Sequence, residues 1–146
     1  PVLNDLVTKT IMYRFSQTMH DLYESGVSID QSLAIAAKVI NHRYVREGIN
    51  KARVEIKKGA GMATALEKSQ VFPPMVITMV RVGEESGDLS TMLKDISDYS
   101  RAELELKIDQ LTSLIEPLLI ILIGIVVGFV IIGILLPMYE GMRMIQ

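Results

Sequence analysis

Apolar residues follow two patterns along this chain. Through the first three quarters they recur three or four positions apart with polar residues between them; from Leu118 to Leu136 they run without a break. The first pattern is that of helices with one buried face. Met12, Phe15, Met19, Leu22 and Tyr23 share a face over Asn4–Glu24, and Gly26 is placed to stop that helix. Ser28 to Gln31 matches a capping box, S-x-x-Q, opening a second helix through Ile40, which Asn41 and His42 break. Val45, Ile49, Ala52 and Ile56 mark a third, ending at Gly59, and Met62–Lys68 a short fourth. In Phe72-Pro73-Pro74 a proline suits the first turn of a fifth helix containing Val76, Met79 and Val80. Asp88 is a natural N-cap for a sixth beginning near Leu89, with Leu89, Met92, Leu93, Ile96 and Tyr99 turned into a bundle. Leu104, Ile108, Leu111 and Ile115 continue as a narrower stripe. It reads as a stalk that packs on another helix of the full protein or on a second copy. No segment alternates with period two, so the expected fold is all-α: a bundle of about six helices.

The second pattern predicts that the last helix continues into a membrane. Leu118–Leu136 reads LLIILIGIVVGFVIIGILL, and no charge lies between Glu116 and Glu140. A bilayer core takes about 20 apolar residues of helix, and a soluble helix of that length would show a polar face. The expected division is bundle and stalk 1–112, membrane helix 113–139 and external tail 140–146. Where the helix enters the membrane, Glu116 is an interfacial carboxylate. Pro117 cannot donate to the Ser113 carbonyl and predicts a kink. Leu136-Pro137 is the expected close of the span. Gly124 and Gly128 form a G-x-x-x-G, a candidate helix-packing face. Fourteen of fifteen Lys and Arg precede the span, which places the bundle in the cytoplasm and the C-terminus outside. Tyr139 suits the outer interface.

Composition narrows the chemistry. The net charge is −2 over 146 residues, and there is no tryptophan, so neither a basic field nor a stacking surface invites nucleic acid. Absent cysteine removes disulfides and thiolate metal sites. The chain opens on Pro1 rather than methionine, which suggests that it was cut from a longer one.

The stretch RVGEESGDLSTML, Arg81–Leu93, concentrates glycine and carboxylate. It has no Lys before its Ser, so it is not a P-loop, and it lacks EF-hand spacing. Glu84 and Glu85 are adjacent and diverge by about 100° on a helix, a poor acid–base pair. His20 and His42 lie on separate helices, and no G-x-S-x-G is present. No catalytic, cofactor or metal residue is assigned. The stretch reads as a helix joint, with a weak cation site or a basic partner docking on the carboxylates as alternatives.

Six features, in order, resemble one family. They are Arg14-Phe15 with Gly26-Val27-Ser28-Ile29; Lys58-Gly59; Phe72-Pro73-Pro74; Val82-Gly83-Glu84-Glu85-Ser86-Gly87-Asp88-Leu89; Glu116-Pro117; and Leu136-Pro137. Together they resemble the inner-membrane platform proteins of type II secretion and type IV pilus assembly, the GspF/PilC family. The fourth is similar to that family's G-E-x-S-G-x-L signature. The resemblance implies the second of two cytoplasmic repeats plus the last span. It implies a non-enzymatic scaffold in the inner membrane, coupling an assembly ATPase to pilin or pseudopilin movement. Other inner-membrane assembly proteins, membrane lipid and further copies of itself would be its partners. The joint motif Gly83, Glu84, Ser86, Gly87, Asp88 and Leu89 would then set the geometry between the fifth helix and the stalk. Glu84 and Glu85 are its candidate partner contacts, and Glu84→Ala is expected to weaken assembly without altering folding. A tail-anchored helical adaptor or signalling subunit is the alternative.

Overall fold

A computed structural model describes residues 2–146. Six helices follow one another: α1 (Val2–Glu24), α2 (Ile29–Val39), α3 (Arg43–Lys57), α4 (Met62–Ser69), α5 (Pro74–Ser86) and α6 (Leu89–Arg143). There is no strand among the described residues. The chain divides into two compact units, one ending at Glu105 and one comprising Leu106–Gln146.

In the first unit the apolar faces converge. Phe15 and Met19 from α1, Leu33 from α2, Ile49 from α3, Leu66 from α4, Val80 from α5 and Leu93 from α6 are all 1% exposed or less. Burying side chains of this size contributes about 1.5–3 kcal/mol each. The Phe15 and Phe72 rings meet at 4.7 Å and 48°, tying α1 to the turn before α5.

Identifiable groups close the ends of α2 and the start of α3. Ser28 Oγ accepts from the Gln31 N–H at the start of α2. His42, expected only as a break, caps α3 by accepting the Val45 N–H on Nδ1. Arg46 reaches back from α3 and donates to the Ala37 and Ile40 carbonyls at the end of α2, at 3.3 and 3.2 Å. Arg53 grips Asp30 through two bonds of 3.0 and 3.4 Å. Gly48 in α3 has no room for a side chain, because a Cβ there would strike Val71.

On α6 the buried stripe is Leu89, Leu93, Ile96 and Ser100, with Ser97 beside it. Tyr99 was expected inside but is 48% exposed, and Met92 is only half-buried. Steps of four, three and four residues carry the core face to Ser100, and Tyr99 falls one position off it. The small serines leave room for polar links to α1. Ser97 Oγ donates to Gln17 Oε1 at 2.7 Å, His20 Nδ1 lies 3.0 Å from the Ser90 carbonyl, and Lys9 Nζ donates to Glu103 at 2.7 Å. That bond to Glu103 raises the Lys9 pKa.

The second unit is the remainder of α6. It stays helical through Pro117 and on through Pro137 to Arg143, four residues beyond the expected end of the membrane helix at 139. Proline removes one N–H at each site, but the other backbone bonds hold the helix. None of the apolar span is buried. Of the stalk stripe, Leu104 (the first unit's) and Leu111 are half-buried, whereas Ile108 and Ile115 are exposed. The Arg143 guanidinium lies 5.8 Å from the Tyr139 ring centre, a cation–π contact at the end of the helix.

The Asp30–Arg53 pair yields a test. Its hydrogen bond to Arg53 lowers the Asp30 pKa. A depressed carboxyl contributes stability that is complete above its unfolded pKa of about 3.9 and is lost as pH falls through the folded value. Asp30→Asn should therefore lower the melting temperature at pH 7 and flatten the loss of stability on acidification below about pH 4. Thermal melts of the detergent-solubilised full-length protein, followed by circular dichroism, measure both. An acid limb with the parent's slope would show that the pair contributes nothing.

Candidate functional site at the joint of α5 and α6

The joint motif closes α5 and opens α6. Gly87 ends α5 at φ +72°, a left-handed backbone that a side chain strains. The Asp88 N–H donates to the Gly83 carbonyl at 2.9 Å and the Gly87 N–H to the Glu84 carbonyl at 3.4 Å. This reciprocal pair is a Schellman closure. Asp88 then caps α6, accepting the Thr91 N–H on Oδ1 at 3.3 Å. Leu89, the next residue, is buried. The two glycines do different work. Gly87 supplies the positive φ. Gly83 supplies closeness: a Cβ on it would stand 2.9 Å from Met92 Cβ and 3.0 Å from Leu89 Cα.

Glu84 faces inward. Its Oε2 accepts the Met62 N–H at 2.8 Å and its Oε1 the Ala63 N–H at 2.6 Å. These are orphan donors in the first turn of α4, whose own N-cap, Gly61, offers no side chain. A carboxylate there also meets the positive end of the helix dipole. A Cβ on Gly61 would lie 2.7 Å from Glu84 Oε2, so the glycine makes room for the cap. The expectation that Glu84 could be replaced without altering folding fails on this geometry, since both oxygens are committed to α4. Its neighbour Glu85 is exposed, as are Ser86 and Gly87. Ser86 Oγ donates only a long 3.4 Å bond to the Gly83 carbonyl. Among the described residues no metal-sized group of acidic and histidine side chains gathers here.

The turn motif lies at the other end of α5. Phe72 is buried, Pro73 stands at the N-cap and Pro74 is the first helical residue. Pro73, Met75 and Val76 also wall a cavity of about 300 Å³ whose other side carries Lys9, Tyr99 and Glu103. In the second unit, Glu116 and Pro117 are exposed, and a Cβ on Gly124 or Gly128 would meet nothing within 4 Å.

Residues 15–137, which include all of these motifs, match the family described as type II secretion system (T2SS), protein F. The chain belongs to that family. A type IV pilus assembly protein PilC from Thermus thermophilus is 38% identical over 141 residues, 96% of this chain and 35% of the relative. A protein of the same description from Myxococcus xanthus is 37% identical over all of this chain and 35% of its own length. The type II secretion system protein F of Pseudomonas aeruginosa is 37% identical over 94% of this chain and 34% of its own length. This protein F family chain thus spans about a third of the length of the curated relatives it matches.

What sequence reasoning missed is the pairing of Glu84 with α4. Two signals were available: a short helix opening on Gly61 with no capping side chain, and a glutamate one turn before a C-terminal glycine. Glu84→Ala should cost about 1–2 kcal/mol, as loss of a cap does. Hydrogen exchange would show it first at the Met62 and Ala63 amides. Equal loss of protection throughout the bundle, with nothing local to α4, would count against capping. Gly87→Val should cost about 1–2 kcal/mol through its left-handed φ, read as a lower melting temperature with helix content retained.

Proposed function

We propose that this chain is the bundle and final membrane helix of a non-enzymatic platform protein of a type IV pilus or type II secretion machine. The single observation that carries this reading is the family match, which runs through bundle, joint motif and apolar helix together. The bundle lies in the cytoplasm and the C-terminus in the periplasm or outside, supported by the excess of Lys and Arg before the span. The platform sits in the inner membrane and couples a cytoplasmic assembly ATPase to the movement of pilin or pseudopilin, alongside other inner-membrane assembly proteins and membrane lipid. Its part is to hold and orient partners, and it hydrolyses nothing. Glu85, exposed beside the inward-facing Glu84, takes over the role of partner contact at the joint. Gly124 and Gly128 offer the span a face for another membrane helix, since nothing among the described residues lies within 4 Å of a Cβ built on either.

Two measurements on the full-length protein in its native membrane test this. A photo-crosslinking residue at Glu85 should capture the assembly ATPase, a pilin-like subunit or another component of the machine. Capture of unrelated receptors alone, with pilins and ATPase present, would favour the adaptor reading. A cysteine at Gln146 should react with a membrane-impermeant maleimide in cells whose outer barrier is permeabilised, while one at Lys58 should not. The reverse labelling would overturn the orientation.

A further inference from the structure

Charge is segregated within the first unit. Residues 29–58 hold seven Lys and Arg against three acids, net +4, whereas residues 83–105 hold seven acids against two Lys and Arg, net −5. The basic half is not a diffuse coat. Between α2 and α3 runs an open groove of about 440 Å³, floored by Ala34 and Ala37 and walled by Lys38, Arg46 and Arg53. Arg46, Arg53 and, one turn on, Lys57 form one stripe of α3 at steps of seven and four residues. Asp30 is the acid on Arg53, and Lys57 adds to Arg53 in lowering its pKa. Arg46 is bonded only to neutral carbonyls and has no acid on it among the described residues. Lys38 and Lys57 are exposed and form no salt bridge among the described residues.

The acidic half is equally ordered. Asp88, Thr91, Asp95, Asp98, Ala102 and Glu105 recur along α6 at steps of three and four. That stripe lies opposite the buried face of Leu89, Leu93 and Ile96, and all six of its residues are exposed. Lys94 and Arg101 flank it, and Arg101 is paired with Glu105. Asp95 and Asp98 form no salt bridge among the described residues. Arg46 to Arg53 rises about 10.5 Å along α3, the same rise as Asp88 to Asp95 or Asp98 to Glu105 along α6. The shallow alanine floor admits a helix whose outward face carries only small residues between its carboxylates.

We infer that the α2–α3 groove of one copy receives the acidic face of α6 from a second copy, giving a head-to-tail contact between bundles. The two surfaces differ, so the contact is heterologous: it leaves one groove and one acidic face free at the ends of a pair and allows rings or longer arrays. Both complements being on one chain favours a second copy over an unrelated acidic protein or an anionic headgroup. This inference does not rest on the platform reading.

The test uses the full-length protein in native membranes, with two differently tagged copies. One carries Asn50→Cys, lining the groove, and the other Ala102→Cys, in the acidic stripe; the chain has no cysteine of its own. A short bifunctional maleimide should join the two tags. Lys38→Glu with Lys57→Glu in both copies should cut the product roughly tenfold, and Asp95→Lys with Asp98→Lys in both should do the same. Placing the basic-face reversal in the Ala102→Cys copy and the acidic-face reversal in the Asn50→Cys copy leaves the groove and the acidic face that the two cysteines report as in the parent, and should keep the product. Exchanging the two reversals between the tags opposes a groove made acidic to a stripe made basic and should keep the product too. Carrying both reversals in every copy restores opposite signs and should recover the product. Absence of product in the parent, or reversals without effect, would overturn the inference. So would failure of the quadruple variant to recover when its melting temperature matches the parent's. Product with intact reversal behaviour would stand even if no pilus or secretion partner were ever captured.

Discussion

The first turn of α4 makes the demand on which the joint depends. An eight-residue helix presents as many orphan N–H groups as a long one, with far less side-chain surface to hold it. Gly61 supplies no cap, so the donors of Met62 and Ala63 need an acceptor from elsewhere in the bundle. Glu84 provides both oxygens from the last turn of α5, 22 and 21 residues away in sequence. The carboxylate reaches α4 only because α5 is held in register at both ends. Phe72 against Phe15 anchors its start, and the closure at Gly87 anchors its end. The joint motif therefore does more than reverse the chain. It keeps the glutamate aimed at a helix that would otherwise have an open end.

The same accounting explains the two glycines. Gly87 is a matter of backbone conformation and Gly83 one of distance, and neither residue could take over the other's place. Gly61 is a third case, leaving space for a side chain that arrives from α5. Three glycines near one joint thus answer three separate constraints. This is why the motif reads as a dense cluster in sequence.

Much of this was legible in one dimension. The helical periodicities placed all six helices, and Ser28, Pro74 and Asp88 marked their starts, because caps and helix-initiating prolines act within a few residues of themselves. What stayed hidden was long-range or depended on one step of helical phase. Glu84 was read as a surface acid because its partner lies in another helix. Tyr99 was read as core because an aromatic ring outweighs serine on any apolar scale, yet the helix turned Ser97 and Ser100 inward. His42 was read only as the break after α2, which it is; that it also caps α3 went unread, a role its ring nitrogen can fill as a hydroxyl would.

Within α6 the physical logic changes along one continuous helix. Over Leu89–Ser100 one face is apolar or small and meets other helices, while the opposite face is acidic and meets water. Over Leu118–Leu136 there is no polar face, and nothing among the described residues covers the apolar one. Water would penalise such a surface at about 25 cal/mol for every Å² left exposed. A bilayer removes that penalty and leaves only the backbone to satisfy, which a helix does internally, apart from the carbonyls opposite Pro117 and Pro137. The two halves of α6 thus belong to two solvents. The change falls between the last charged residues of the stalk and Leu118, where Glu116 is the final group that still requires water.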